Sequence, residues 1–163
     1  MNNLYSKLHN SLLYVIIIII STSCSNESMD IQQEDNASSS QSIEYQIFKL
    51  VNEHRIDLDK KALKLNSFAN TLAKEHTLYM IDEKKISHDN FDERFEKLSS
   101  TEKAFKLGEN VASGQETAQS VMNSWLNSNG HRKNIEGDFT HIGISAIKNK
   151  SGIYYYTQLF FKK

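Results

Sequence analysis

Three polar side chains are of types that could together bind a metal ion or transfer protons: His88, Glu109 and His131. Each is predicted to lie in a loop or at the end of a helix or strand, where binding groups usually lie. Two imidazoles and a carboxylate are typical zinc ligands, with water completing the coordination, and the same groups could instead transfer protons. A simpler interpretation stays open, because the nearest two are 21 residues apart and each could be a surface or turn residue bonded to backbone groups.

The remaining candidate side chains are predicted to have structural roles. His76 lies on the apolar stripe of a predicted helix and is expected to contact the core. His54 lies at a helix end, where a cation suits the helix dipole. His141 begins a predicted strand and is expected to be a residue of the sheet edge. Arg132 directly follows His131, and its charge would keep that imidazole neutral if the two are close. The alternative for Arg132 is a helix-end or surface salt bridge.

Four stretches with apolar residues at helical spacing must position these side chains. Ser42 and Asn66 are predicted to cap the first two helices, and Glu116 or Thr117 is predicted to cap the fourth. The stretches are marked by Ile43, Ile47, Leu50 and Val51; by Ala69, Leu72, Ala73 and Met80; by Phe91, Phe95 and Leu98; and by Ala118, Val121, Met122 and Trp125.

The C-terminal part of the chain changes to the alternation that is typical of strands. Ile142, Ile144 and Ala146 alternate with other residues, a turn is predicted at 148–152, and residues 153–161 are apolar on both faces. This pattern predicts an antiparallel hairpin whose last strand is central in a sheet covered by helices on both sides. Helices followed by a hairpin indicate an α+β fold.

Composition limits the function classes. The chain has 163 residues with 19 basic and 20 acidic side chains, so binding of nucleic acid through bulk charge is excluded. Four acids and no base lie in residues 25–42, which leaves residues 43–163 with a net charge of +2. Cys24 is the only cysteine, which excludes a disulfide within the chain and a thiolate zinc site.

The N-terminal segment has the layout of an export signal. Residues 1–23 contain a short basic start and an apolar run that is too short to span a membrane. The small residues before Cys24 resemble the lipobox of bacterial lipoproteins, in which the cysteine is lipidated, although Ser21 stands where leucine is usual. An ordinary secretory signal and an uncleaved anchor are the alternatives. Residues 24–42 are predicted to be the lipidated cysteine and a flexible polar linker.

Seven short motifs follow one another along residues 43–163. They are Val51-Asn52-Glu53-His54-Arg55, Ala73-Lys74-Glu75-His76, Ser87-His88, Gly108-Glu109-Asn110-Val111-Ala112, WLNSNGHRKNI over 125–135, Phe139-Thr140-His141-Ile142-Gly143-Ile144, and Tyr156-Thr157-Gln158-Leu159-Phe160. In this order they resemble the motifs of the CAP superfamily, also called SCP-like. Its name joins cysteine-rich secretory proteins, antigen 5 and pathogenesis-related 1.

The resemblance implies a three-layer α-β-α sandwich with a mainly antiparallel central sheet. It also implies a central cleft with two histidines and two acids, which binds zinc in some members. By motif, His88 is the first histidine, Glu109 the first acid and His131 the second histidine, while Ser128 stands where the second acid is usual. Asn110, beside Glu109, and the serine that precedes His88 are short polar groups able to orient ligand histidines.

The family resemblance implies an extracytoplasmic binding or interaction domain, and the lipobox resemblance implies that it is anchored to a bacterial membrane. Three functions are open to such a protein. The first is a binding module that recognises an envelope lipid, glycan, peptide or protein, which the absence of a serine, cysteine or threonine nucleophile motif favours. The second is a zinc-dependent hydrolase, with water activated by zinc on His88, His131 and Glu109. The third is a structural role in envelope or biofilm contacts with a vestigial cleft. No nucleic-acid partner is expected.

Overall fold

The computed structural model describes residues 41–163. The predicted signal peptide, Cys24 and the linker up to residue 40 lie outside the described residues. Among the residues described, none of the helices combines the length and the apolar character that crossing a membrane requires.

The described residues contain the four predicted helices and the predicted hairpin in the expected order. Three further elements are a two-residue strand, an eight-residue strand before the fourth long helix and a short helix after it. The elements are α1 (Ile43–Asp57), β1 (Lys64–Leu65), α2 (Ser67–Asp82), α3 (Phe91–Glu102), β2 (Lys106–Ser113), α4 (Ala118–Leu126), α5 (Asn129–Ile135), β3 (His141–Lys148) and β4 (Tyr154–Lys162).

The strands form one mixed sheet in the order β1-β3-β4-β2. The predicted hairpin is confirmed, because β3 and β4 pair antiparallel, and β4 lies between β3 and β2 as expected. Only the short β1 pairs parallel, with β3. The sheet is therefore mainly antiparallel, and the parallel pair is a minor departure that the sequence did not indicate.

Helices cover both faces of the sheet, which confirms the three layers. The alternation of β4 sends Tyr156 and Phe160 toward one helical layer and Leu159 and Phe161 toward the other. The first layer contains α1, α4 and α5, with the fully buried Trp125 at its centre. The second layer contains α2 and α3. Residues 41–163 thus contain the sheet and the helices that cover both of its faces, so we expect them to fold as a unit.

The caps show why the helices begin where they do. Ser42 accepts a hydrogen bond from the Tyr45 N–H at 3.3 Å. Asn66 accepts one from the Ala69 N–H at 2.8 Å. Of the two residues considered for α4, Thr117 is the cap, and it forms a reciprocal capping box with Ser120.

The start of α2 lies unusually close to β3 at Gly143. A Cβ atom on Gly143 would lie 2.3 Å from the carbonyl carbon of Ala69. Two hydrogen bonds on either side hold this contact: the Asn66 N–H donates to the Ile142 carbonyl at 3.0 Å, and the Ile144 N–H donates to Asn70 Oδ1 at 2.9 Å. Glycine is therefore required here by the distance between two backbones.

Helix side chains bind backbone groups at both edges of the sheet. On β2, the carbonyl of Glu109 accepts a hydrogen bond from Asn134 Nδ2 at 3.0 Å, and that of Val111 accepts one from Trp125 Nε1 at 3.3 Å. On β3, beyond the end of β1, Asn70 binds the backbone as described above. Glu44 also accepts from the Ala146 N–H there, at 3.2 Å.

Candidate functional site

Glu109 lies in the interior of the edge strand β2, not in a loop or at an element end as predicted. The pairing of β2 with β4 runs on either side of it without interruption, from Lys106 to Ser113. Its side chain is 1% exposed. A carboxylate that is buried to this extent must be paired or lose its charge. The partner of Glu109 therefore decides what its carboxylate can do.

Arg94 of α3 is that partner. Its Nε donates to Glu109 Oε2 at 2.7 Å and its Nη2 donates to Oε1 at 2.9 Å, the two-bond geometry in which arginine binds carboxylates most strongly. The Arg94 Nη1 donates to the Asp89 carbonyl at 2.7 Å and to His76 Nδ1 at 3.0 Å. Both oxygens of Glu109 are therefore occupied by a buried guanidinium.

His76 of α2 completes this buried network. Its Nδ1 accepts from Arg94, so the proton is on Nε2, which donates to the Ser87 carbonyl at 2.8 Å. Burial holds the pKa of His76 below its usual value. The charge of Glu109 opposes that shift, and the charge of Arg94 adds to it. The prediction that His76 contacts the core is confirmed, but the network to which it belongs was not predicted.

His88 is the exposed member of the group. It lies in the loop between α2 and α3, and its Nδ1 donates to Glu109 Oε1 at 2.7 Å. The His88 side chain is 55% exposed. The structure therefore brings two of the three predicted site residues together: the exposed imidazole of His88 is hydrogen-bonded to the buried carboxylate of Glu109.

His131 lies in the helical layer on the other face of the sheet from His88. It is the third residue of α5, not a loop residue past a helix, and it is half-buried. Burial lowers the pKa of His131, and the coulombic effect of His88 lowers it further, which favours the neutral form of the His131 ring. Arg132 does not contribute to this shift, because it is exposed and donates to the Leu126 carbonyl and to Asn129.

Asn110 explains how two layers contribute to one site. Successive residues of a strand face opposite sides, so Glu109 faces α2 and α3 while Asn110 faces α5. Asn110 Nδ2 donates to the His131 carbonyl at 3.1 Å, and Asn110 Oδ1 accepts from Asn134 at 2.9 Å. Asn110 thus fixes the backbone of α5. The expectation that Asn110 orients a histidine ring is therefore wrong, because neither of its side-chain atoms is bonded to one.

The two serines of the predicted cleft contribute less than expected. Ser128 is the residue before α5 and is half-buried, but its hydroxyl does not cap that helix. Ser87 binds His76 through its carbonyl, while its hydroxyl only accepts a long 3.4 Å bond from the Asp89 N–H. Neither hydroxyl is bonded to a histidine ring among residues 41–163.

The structure also places the two histidines that were assigned structural roles. His54 Nε2 lies 3.0 Å from Glu136 Oε1, near the end of α1 as predicted. His141 stacks on Phe161 at 5.0 Å between ring centroids. The prediction of an edge position is wrong for His141, because β3 has β1 on one side and β4 on the other.

Zinc binding stays a prediction. Within residues 41–163, no group of three histidine, cysteine or carboxylate side chains is arranged to hold a metal ion. The reason is visible in the donor set: Glu109 would have to exchange its bonds to Arg94 for a bond to the metal. As arranged, His88, His131 and Glu109 do not fit a three-ligand zinc site.

Arg94 is the site residue that the sequence analysis missed, although the pattern contained a signal for it. Phe91, Arg94, Phe95 and Leu98 have the spacing of one helix face, and Arg94 is the only charged residue among them. A single arginine on an otherwise apolar stripe indicates a buried cation, which needs a carboxylate nearby.

Comparisons with known proteins agree with the fold and the motifs. The sequence model of the Cysteine-rich secretory protein family, CAP, matches residues 48–160. The uncharacterized protein YkwD of Bacillus subtilis is 32% identical over 118 residues, which cover 70% of this chain and 46% of YkwD.

Two solved structures resemble the described fold. An outer surface protein from Borrelia burgdorferi is 25% identical with a TM-score of 0.68, over 74% of this chain and 92% of that one. An extracellular protein containing an SCP domain from Bacillus anthracis is 28% identical with a TM-score of 0.66, over 74% of this chain and 40% of that one. This chain thus spans less than half the length of YkwD and of the Bacillus anthracis chain. On the family match and these similarities, the chain belongs to the cysteine-rich secretory protein (CAP) family.

Proposed function

We propose that this chain is an extracytoplasmic binding module, anchored to a membrane through Cys24. It recognises an envelope lipid, glycan, peptide or protein through the cleft formed by His88, Glu109 and His131. Support for the location comes from relatives described as an outer surface protein and as an extracellular protein. Support for a binding role comes from the chemistry of the cleft.

The observation that carries the proposal is that Arg94 donates a hydrogen bond to each carboxylate oxygen of Glu109. The Glu109 carboxylate accepts two hydrogen bonds from a guanidinium and a third from His88, so both of its oxygens are committed to internal partners and are not free for a ligand. The network instead holds the His88 ring in place. The neutral His131 offers one donor and one acceptor beside it. Such a cleft suits ligands with hydroxyl or amide groups.

The two other functions have weaker support. A zinc-dependent hydrolase would need Glu109 as a metal ligand, and Arg94 competes for it. Ser128 also leaves the hydrolase without the second acid as a base. A purely structural role requires that changes in the cleft leave binding unaffected, so the same variants test it.

Alanine variants of the two cleft histidines provide the test. We expect His88→Ala and His131→Ala to weaken binding of residues 41–163 to purified, protein-free envelope lipid or wall fragments by about tenfold, as the loss of a hydrogen bond would. Gln119→Ala is the control, because it removes an exposed polar side chain of α4 that bonds only to Asn123 and lies outside the cleft. Isothermal titration measures the three affinities.

The outcome separates the three functions. Equal binding by all three variants and the wild type would remove the cleft from recognition and favour the structural role. Zinc binding that is lost in both cleft variants, together with zinc-dependent hydrolysis that Glu109→Gln abolishes, would favour the hydrolase.

The anchor is tested separately. Cys24→Ala in the full chain is expected to block incorporation of labelled fatty acid and to release the protein from the membrane fraction. Membrane retention that is unchanged in Cys24→Ala would contradict lipidation and favour an uncleaved N-terminal anchor.

A further inference from the structure

A basic cavity of about 590 Å³ has a lining that includes none of His88, Glu109 and His131. Its walls come from the end of α1, the following loop with β1, the segment between α5 and β3, and the end of β4. A volume of this size lies within the usual range of about 300–1,000 Å³ for small-molecule sites. The cationic residues that line it are Arg55, Lys60, Lys61, Lys64, Lys162 and Lys163.

Part of the positive charge of the cavity is compensated. Two side-chain carboxylates line the cavity, and each is already paired: Asp138 with Lys162, and Glu136 with a histidine of α1. Lys163 is paired with Glu102, which lies outside the lining. Three lysines, at positions 60, 61 and 64, form no ion pair within residues 41–163. Residues 43–163 together carry a net charge of only +2, so the cationic groups are concentrated here.

Arg55 holds the backbone of the loop that carries Lys60 and Lys61. It is 2% exposed, and it donates to the carbonyls of Lys61 at 3.0 Å, Ile135 at 2.7 Å and Gly137 at 2.9 Å. These bonds tie the lysine loop to the end of α5. Because these partners are carbonyl groups, which carry no net charge, the guanidinium adds a fixed positive charge behind the cavity.

His141 lies in the same cavity and responds to its charge. Burial lowers the pKa of His141, the charges of Lys163 and Lys64 lower it further, and Glu102 opposes them. The Thr140 hydroxyl lies 2.8 Å from Nδ1 of the ring. An anion that enters the cavity would offset the lysine charges and raise the pKa of His141, which makes this ring a reporter of occupancy.

We propose that this cavity is a binding site for a phosphate group, presented by free phosphate or by the headgroup of an anionic phospholipid. Lysine side chains are compact cations that bind phosphate as point charges, and several of them around one cavity favour a multiply charged ligand. The site is independent of the proposed function of the cleft, because the two share no residue.

The test uses residues 41–163 with inorganic phosphate and with vesicles as separate probes. The double variant Lys60→Gln/Lys64→Gln removes two exposed cations of the cavity. Lys74→Gln/Lys97→Gln is the matched control, because it removes two exposed cations of α2 and α3 outside the cavity. The vesicles contain either phosphatidylglycerol in phosphatidylcholine or phosphatidylcholine alone. Binding is measured at pH 7 by titration calorimetry for phosphate and by sedimentation for vesicles.

We expect the cavity variant to lose about tenfold in affinity, and the control variant to stay within about twofold of wild type. Phosphate should also shift the ring resonances of His141. If only the phosphatidylglycerol vesicles bind, and the cavity variant alone loses that binding, the phosphate belongs to a lipid. Absence of binding to both probes, or an equal loss in the two double variants, would overturn the proposal.

Discussion

Arg94→Ala is expected to lower the free energy of unfolding by about 3–5 kcal/mol, because it leaves the Glu109 carboxylate buried without its charge partner. Glu109 is 1% exposed, and only the bond from His88 would remain on its side chain. Urea unfolding of residues 41–163, followed by the fluorescence of the single tryptophan, Trp125, measures the loss.

Two further variants separate the ion pair from general damage to α3. Lys97→Ala, in the same helix, removes an exposed pair with Glu75 at 3.6 Å and should change the free energy of unfolding by less than about 1 kcal/mol. The double replacement Arg94→Leu/Glu109→Leu removes both charges and should recover much of the loss. An effect of Arg94→Ala as small as that of Lys97→Ala would contradict the role of the pair.

Gly143→Ala is expected to lower the free energy of unfolding by about 1–3 kcal/mol, since the added methyl group would meet the Ala69 backbone rather than a movable side chain. To make room, α2 must move away from β3, which strains the hydrogen bonds on either side of the glycine. The same urea titration measures the loss, and near-ultraviolet circular dichroism reports any change of packing.

Gly130→Ala is the control for Gly143→Ala, because it makes the same chemical change in α5, where the added Cβ would have no atom within 4 Å apart from its chain neighbours and the backbone of its own helix. Its free energy of unfolding should stay the same or rise by up to about 1 kcal/mol, since alanine restricts the unfolded chain more than glycine. Similar losses in both variants would show that the close approach of α2 to β3 does not limit stability.

Local patterns predicted the elements of this fold well, because they depend on neighbours in the chain. The caps at Ser42 and Asn66 and the hairpin of β3 and β4 are signals of this kind. The two-residue β1 was not predicted, because two residues are too few to show alternation. The apolar residues on both faces of 153–161 predicted helices on both sides of the sheet, but they do not say which helix covers which face.

The candidate site was predicted only in part, because its partners are distant in sequence. Motifs indicated Glu109 and the exposed His88, which the structure brings to 2.7 Å. The motifs did not indicate that Arg94 would occupy both carboxylate oxygens, 15 residues away. The helical stripe of α2 predicted that His76 is a core residue. Its bonds to Arg94 and Ser87 could not be predicted in this way, because they depend on how α2 packs against α3 and the loop between them.

The side chains bonded to the sheet edges restrict how a partner can bind. A peptide can extend a sheet only where unpaired N–H and C=O groups form a row along its edge. Asn134 and Trp125 interrupt that row on β2, and Asn70 and Glu44 interrupt it on β3. Strand addition along β2, and along β3 beyond the end of β1, is therefore disfavoured, and we expect a protein partner to contact side chains of this domain rather than its main chain there.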